Sequence, residues 1–191
     1  AEYPGARLLI AGDGEYLEQV KQAASDANAA AATAGEADAE VAGLSGLSGR
    51  PKVTCLGFVS DMASLYRASD LVVGMSRVAL EGMACGKPAI IAGPEGDYGL
   101  VSESNLADLE ACNFTARGAP KPTEPETLAG EIRYALDRRS SDTAAFFLDV
   151  VRKRHSVASH AMMASPGRCR RSRLIFLRRR RQWPVMAPAL Q

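Results

Sequence analysis

Four short, unbroken apolar runs punctuate the first hundred residues: Arg7-Leu8-Leu9-Ile10-Ala11, Val53-Thr54-Cys55-Leu56, Leu71-Val72-Val73 and Pro88-Ala89-Ile90-Ile91-Ala92, each followed at once by a glycine. Runs of this length without polar alternation predict strands buried on both faces, and the glycines predict the turns that end them. Between the runs the apolar positions recur at helical spacing. Tyr16, Leu17 and Val20 share one face of a helix that starts near Glu15. Ser60 is placed to cap a second helix through Tyr66 and Ala68, with Met62, Leu65 and Tyr66 on its buried side. A third runs from about Arg77 to Cys85, with Gly86 as its left-handed cap. Gly93–Gly99 reads as a glycine-rich loop and Asn113-Phe114-Thr115 as a further short strand. Thr123-x-Pro125 opens a helix to about Leu136, and Asp142 opens another to about Val151. Strands alternating with helices predict an α/β fold, a parallel sheet with helices on both faces.

Two stretches break this rhythm. Residues 23–42 hold 11 alanines, and a Gly/Ser/Leu segment follows from Gly43 to Gly49. Without large apolar residues to anchor it, 25–49 is expected to be a solvent-exposed insertion, partly helical and partly mobile. Past Ser165, arginine clusters flank four apolar residues, Leu174 to Leu177, and no amphipathic period is visible. The expectation is a domain over 1–157 and a poorly ordered basic tail over 158–191.

Charge sharpens that boundary. The chain carries a net +1, but residues 1–150 hold 12 Lys+Arg against 22 Asp+Glu, a net −10, and residues 151–191 hold 11 Lys+Arg and no acid. Such a tail suits weak contact with an anionic surface, at a membrane periphery for instance. One Trp and one Phe in 151–191 give it little capacity to stack on bases, so no specific nucleic-acid partner is expected.

Composition excludes several classes. At 191 residues and 47% apolar, the chain is long enough to bury a core. No apolar run approaches the ~18 residues of a membrane span, and no secretory leader opens the sequence. Cys55, Cys85, Cys112 and Cys169 stand far apart, and His155 and His160 have no ligand-spaced neighbours, so neither a metal nor a disulfide framework is expected. Reduced cysteines imply a cytoplasmic location. There is no phosphate-binding GxxxxGK[ST] loop, and Leu17 stands where Gly12-Asp13-Gly14 would need a third glycine to complete a dinucleotide fingerprint. No nucleophile elbow or catalytic triad is present, and the catalytic residue stays unassigned.

What remains is a set of glycine-led loops: Gly12–Gly14, Gly57–Ser60, Gly74–Ser76 and Gly93–Gly99. In a doubly wound sheet they share the carboxyl edge of the strands, where ligands bind. The sharpest segment is Gly74-Met75-Ser76-Arg77-Val78-Ala79-Leu80-Glu81. A helix starting here, with Ser76 as cap, aims free N–H groups at an anion, and Arg77 adds a full charge. Glu81 follows one turn later, where a carboxylate can accept from the vicinal hydroxyls of a ribose. The plain alternative is an ordinary i,i+4 Arg–Glu surface pair.

The ordered set Leu8-Leu9-Ile10-Ala11-Gly12-Asp13-Gly14, Val53-Thr54-Cys55-Leu56-Gly57-Phe58, Tyr66-Arg67-Ala68-Ser69-Asp70-Leu71-Val72-Val73 and Ala79-Leu80-Glu81-Gly82-Met83-Ala84-Cys85-Gly86-Lys87-Pro88 resembles the donor half of GT-B glycosyltransferases, of the group 1 (family 4) type. The likeness runs from Ala6 to Pro94 and more loosely to Val157. It implies a Rossmann-like C-terminal domain that holds a nucleotide-diphosphate sugar as substrate, with no separate cofactor, and transfers the sugar to an acceptor hydroxyl. Through it Glu81 would bind the ribose, the backbone from Gly74 and Met75 to Val78 would face the diphosphate, and Gly57, Phe58 and Val59 would border the base beside Gly12. The resemblance also implies an acceptor domain, and an early donor-domain segment with basic phosphate contacts, ahead of Ala1, so that this chain alone would be inactive. Val73 stands where that family usually carries a second Glu, and the segment between Asp70 and Glu81 is shorter than usual. A sugar-nucleotide epimerase of related fold, and a non-catalytic binding protein with a basic tail, are the competing readings.

Overall fold

The computed structural model describes residues 6–33, 52–138, 140–155 and 174–178. The apolar runs are strands: β1 Arg7–Ala11, β2 Val53–Gly57, β3 Leu71–Val73 and β4 Ala89–Gly93. They are joined by β5 Gly96–Leu100 and β6 Leu174–Arg178, and by helices α1 Leu17–Thr33, α2 Met62–Ala68, α3 Arg77–Ala84, α4 Leu106–Ala111, α5 Pro125–Asp137 and α6 Ser141–Arg154. One six-stranded sheet results, in the order β2-β1-β6-β3-β4-β5.

β1 pairs parallel with β2, and β3 parallel with β4. β6 lies antiparallel to both β1 and β3, so β1 and β3 run the same way and all four of the anticipated strands end on one edge. Helices cover both faces, as the continuous apolar runs require. On one face Ala79 and Met83 of α3 meet Ala89 and Ile91 of β4, Leu106 and Leu109 of α4, and Phe147 and Val150 of α6. On the other, Leu71, Val73 and Ile90 meet Ala135 and Leu136 of α5. Helix α3 lies close to the sheet because Gly82 has no side chain: a Cβ there would sit 2.7 Å from Val72 Cγ2.

Four expectations change. Leu174–Arg178, placed outside the domain on sequence, is a strand within the sheet; the arginines mask a run of apolar residues that suits a central strand. The rest of the basic tail, His160 and Cys169 included, lies outside the described residues, as does 34–49 of the alanine-rich insertion, whose first part continues α1 to Thr33. Gly93–Gly99 is not a loop but a tight β4–β5 turn followed by an antiparallel strand. Buried Asp97 lets that strand form: its Oδ1 accepts from the Gly99 amide at 2.6 Å, and Lys121 Nζ lies 3.6 Å from Oδ2. Asn113-Phe114-Thr115 is not a strand, since Asn113 and Phe114 both take left-handed conformations, φ 53° and 55°. Finally, Asp61 rather than Ser60 caps α2, its carboxylate accepting from the Ser64 amide at 3.0 Å and held below its ordinary pKa by hydrogen bonds from the Ser64 side chain and then the Ser64 amide. Gly86, at φ 70°, closes α3 as anticipated. No helix among the described residues is long and apolar enough to cross a membrane.

Candidate functional site

The carboxyl edge collects the glycine turns. The Gly12 amide donates to the Gly57 carbonyl at 2.8 Å, tying the ends of β1 and β2, and the Gly74 amide donates to Ile90 at 3.0 Å, tying β3 to β4. Met75 lies over Gly93, where a Cβ would overlap its Sδ, and Thr123 Oγ1 donates to the Gly93 carbonyl at 2.7 Å. Phe58 projects from this edge, 64% exposed, while Val59 packs inward against the cluster of Ala11, Tyr66, Val72 and Val78.

The head of α3 has unusual backbone geometry. Ser76 holds φ 53° and ψ −126°, a region that costs a non-glycine residue about 1–3 kcal/mol and persists only where the surroundings impose it. Here the surroundings are visible: the Ser76 amide donates to the Phe114 carbonyl at 2.7 Å, and Phe114 is itself left-handed and buried. This turn corrects the expectation that Ser76 caps the helix. Its hydroxyl makes no cap bond, because an N-cap side chain reaches the first-turn amides only from an extended backbone.

The same turn decides which amides are free. Val78 N donates to Met75 at 3.2 Å and Leu80 N to Ser76 at 3.2 Å, so of residues 76–80 only Arg77 and Ala79 have backbone N–H groups without an acceptor among the described residues. Ala79 is fully buried, so the Arg77 amide is the one a ligand can reach, and it stands beside the exposed Arg77 side chain at the helix start, where an anion is favoured.

Glu81 lies one turn on. Its Oε1 is 3.4 Å from Arg77 Nη2, with Arg77 72% and Glu81 43% exposed. The ordinary i,i+4 pair is therefore present, but long, exposed and weak, so an incoming phosphate can displace Glu81 from the guanidinium at little cost. The other oxygen, Oε2, accepts from Tyr66 Oη at 2.9 Å. Burial first, and the Glu81 charge second, push Tyr66 far above the ordinary tyrosine range, so it stays a hydroxyl donor. The sequence reading set Tyr66 on a buried face and missed this bond. The signal was there, since a buried tyrosine hydroxyl needs an acceptor. Nothing in the sequence announced the Phe114 carbonyl, although Asn113 before it is a residue that tolerates the left-handed region.

The structure thus brings Gly74, Met75, Ser76, Arg77, Val78 and Glu81 together on one turn and a half, and Gly12 together with Gly57, at a shared edge. Among the described residues no three His, Cys, Asp or Glu side chains cluster as a metal site would require. A wider groove of about 720 Å³ lies between α5 and α6, lined by Tyr134, Arg138 and Phe146. It flanks the start of β4, because the Val101 amide at its wall bonds Ala89, and so sits away from the carboxyl edge.

The family model for group 1 glycosyl transferases matches residues 1–112, which includes β1 to β5 and the site residues from Gly12 to Glu81. No curated protein and no solved structure matches the chain.

Proposed function

The chain belongs to the group 1 glycosyl transferases, and from that premise we propose that its carboxyl edge binds the nucleotide-diphosphate part of a sugar donor. The observation that carries this reading is the conjunction at α3: the free Arg77 amide and the exposed Arg77 guanidinium at the helix head, with a carboxylate one turn on. Phosphate oxygens need the donors and ribose hydroxyls need the acceptor, at about the separation of one helical turn. Gly12, Gly57, Phe58 and Val59 form the neighbouring border for the base.

In sugar transfer the bond from the anomeric carbon to the diphosphate breaks while one to an acceptor hydroxyl forms, and negative charge builds on the departing diphosphate. The Arg77 amide, on a turn already fixed by the Phe114–Ser76 bond, stabilises that charge without reorganising. The donor is the only small molecule the site needs. The site works in the cytoplasm, in keeping with the free thiols of Cys55, Cys85 and Cys112, and the basic segment gives a weak hold on an anionic surface.

Calorimetric titration with UDP, GDP and ADP tests the reading. One of them is expected to saturate the wild type, and Glu81→Ala to bind it roughly 10- to 100-fold more weakly, the range for a lost hydrogen bond to a charged group. Equal affinity in the two proteins would refute the assignment.

A further inference from the structure

We propose that Tyr66 is a positioning residue for Glu81, fixing its carboxylate so that the site prefers a ribose diol to a deoxygenated sugar. The proposal rests on the donor reading above and adds to it the group that sets its sugar selectivity.

Glu81 is a long side chain at the solvent edge, and left to itself it would sample several rotamers. Accepting two hydroxyls at once requires the plane of the carboxylate to be held before the ligand arrives, because ordering it on binding costs affinity. Arg77 cannot do this: it is mostly exposed, stands off at 3.4 Å, and is the group a phosphate would draw away. Tyr66 can. Its side chain is 1% exposed, it comes from a different helix, and its ring is packed with Ala11, Val72 and Val78. Its hydroxyl grips Oε2 from the protein side at 2.9 Å, leaving the outward lone pairs of the carboxylate to solvent or ligand. The anchor is itself tied to the site, since Val78 belongs to the first turn of α3, and Val59, which packs on the same cluster, belongs to the β2 loop.

The test compares full-length wild type, Tyr66→Phe, Glu81→Ala and the double variant, each titrated with UDP, GDP and ADP and with their 2′,3′-dideoxy forms. Phenylalanine keeps the ring and its packing and removes only the donor. For the nucleotide that binds, Tyr66→Phe is expected to lose roughly 3- to 10-fold in affinity, the size of one ordinary hydrogen bond, with the dideoxy form unaffected. The ribose preference therefore shrinks. Added to Glu81→Ala, the substitution costs nothing further. An equal loss for ribo and dideoxy forms would mark Tyr66 as merely structural and overturn the proposal, as would an unchanged ribose preference; either leaves the donor site standing if Glu81→Ala still weakens binding. Failure of all six nucleotides to bind the wild type overturns the donor reading and this proposal together. Should Tyr66→Phe not fold, Glu81→Asp applies the same test, because it keeps the charge but withdraws it from the hydroxyl by one methylene. Full ribose preference in that variant overturns the proposal, and its loss supports it.

Discussion

The two sides of the sheet are held by different means. Around β3 and β4 every strand residue from Leu71 to Val73 and from Ala89 to Ile91 is buried, with α3, α4 and α6 on one face and α5 on the other. Around β1 and β2 only Ala11 is buried among the strand residues, and α1, seventeen residues long, buries a single alanine, Ala24. The tie between α1 and β2 is largely polar. Asn28 donates to the Val53 carbonyl and accepts from the Val53 amide, both at 2.9 Å, and so meets the open side of an edge strand as a neighbouring strand would. Apolar burial is the stronger and less specific adhesive, and the proposed site is assembled accordingly. Its charged machinery on α3 stands on the densely packed side, and the Gly12 and Gly57 turns stand on the sparsely packed one. The lesson is that the part of the proposed site assigned to phosphate and ribose is rigid, whereas the part assigned to the base is more yielding.

The largest expected effect comes from removing what joins the two sides. β6 pairs five residues with β1 and three with β3, and Ile175→Pro would take away a ladder bond where the strand pairs with both Ile10 and Val73. Hydrogen exchange should then show β1 and β2 losing protection while β3, β4 and α6 keep theirs. Uniform loss across both sides would mean the contrast is wrong. Next, Gly82→Ala forces a Cβ against Val72, and a melt monitored by circular dichroism should show a loss of about 1–3 kcal/mol, as overpacking of a dense core costs. Asn28→Ala should cost about 1 kcal/mol by the same measurement and raise exchange only in α1 and β2.

The smallest effect concerns pH. Tyr66 titrates near 10 in the unfolded chain and well above it when folded. Its contribution to stability is complete below pH 10 and is lost as pH rises toward the folded value, because only the unfolded chain releases the proton in that interval. Denaturant midpoints taken between pH 9 and pH 11 should fall less steeply in Tyr66→Phe than in the wild type.

How much of this was legible in the sequence follows the same division. β1 to β4 and helices α2, α3, α5 and α6 could be located because burial on both faces writes continuous apolar runs and helical burial writes a period. β5 was hidden by two glycines and an aspartate, residues poor in strands, which the Lys121 contact makes tolerable here. α4, six residues with Asp108 and Glu110 among them, is too short to write a period. β6 was hidden by the arginines around it. At the site, Arg77 and Glu81 could be named from their spacing. Free amides at the helix head were expected as well, but which of them stays free could not be read, because that follows from a strained turn at Ser76 imposed by Phe114, thirty-eight residues away in the chain.

The most direct test of the central claim is a ¹⁵N–¹H titration of the full chain with whichever of UDP, GDP or ADP binds. The account predicts a large, saturable shift at the Arg77 amide, with the Ser76 amide, already bonded to Phe114, moving far less. Shifts confined to the groove of Tyr134 and Phe146, with Arg77 unmoved, would contradict it.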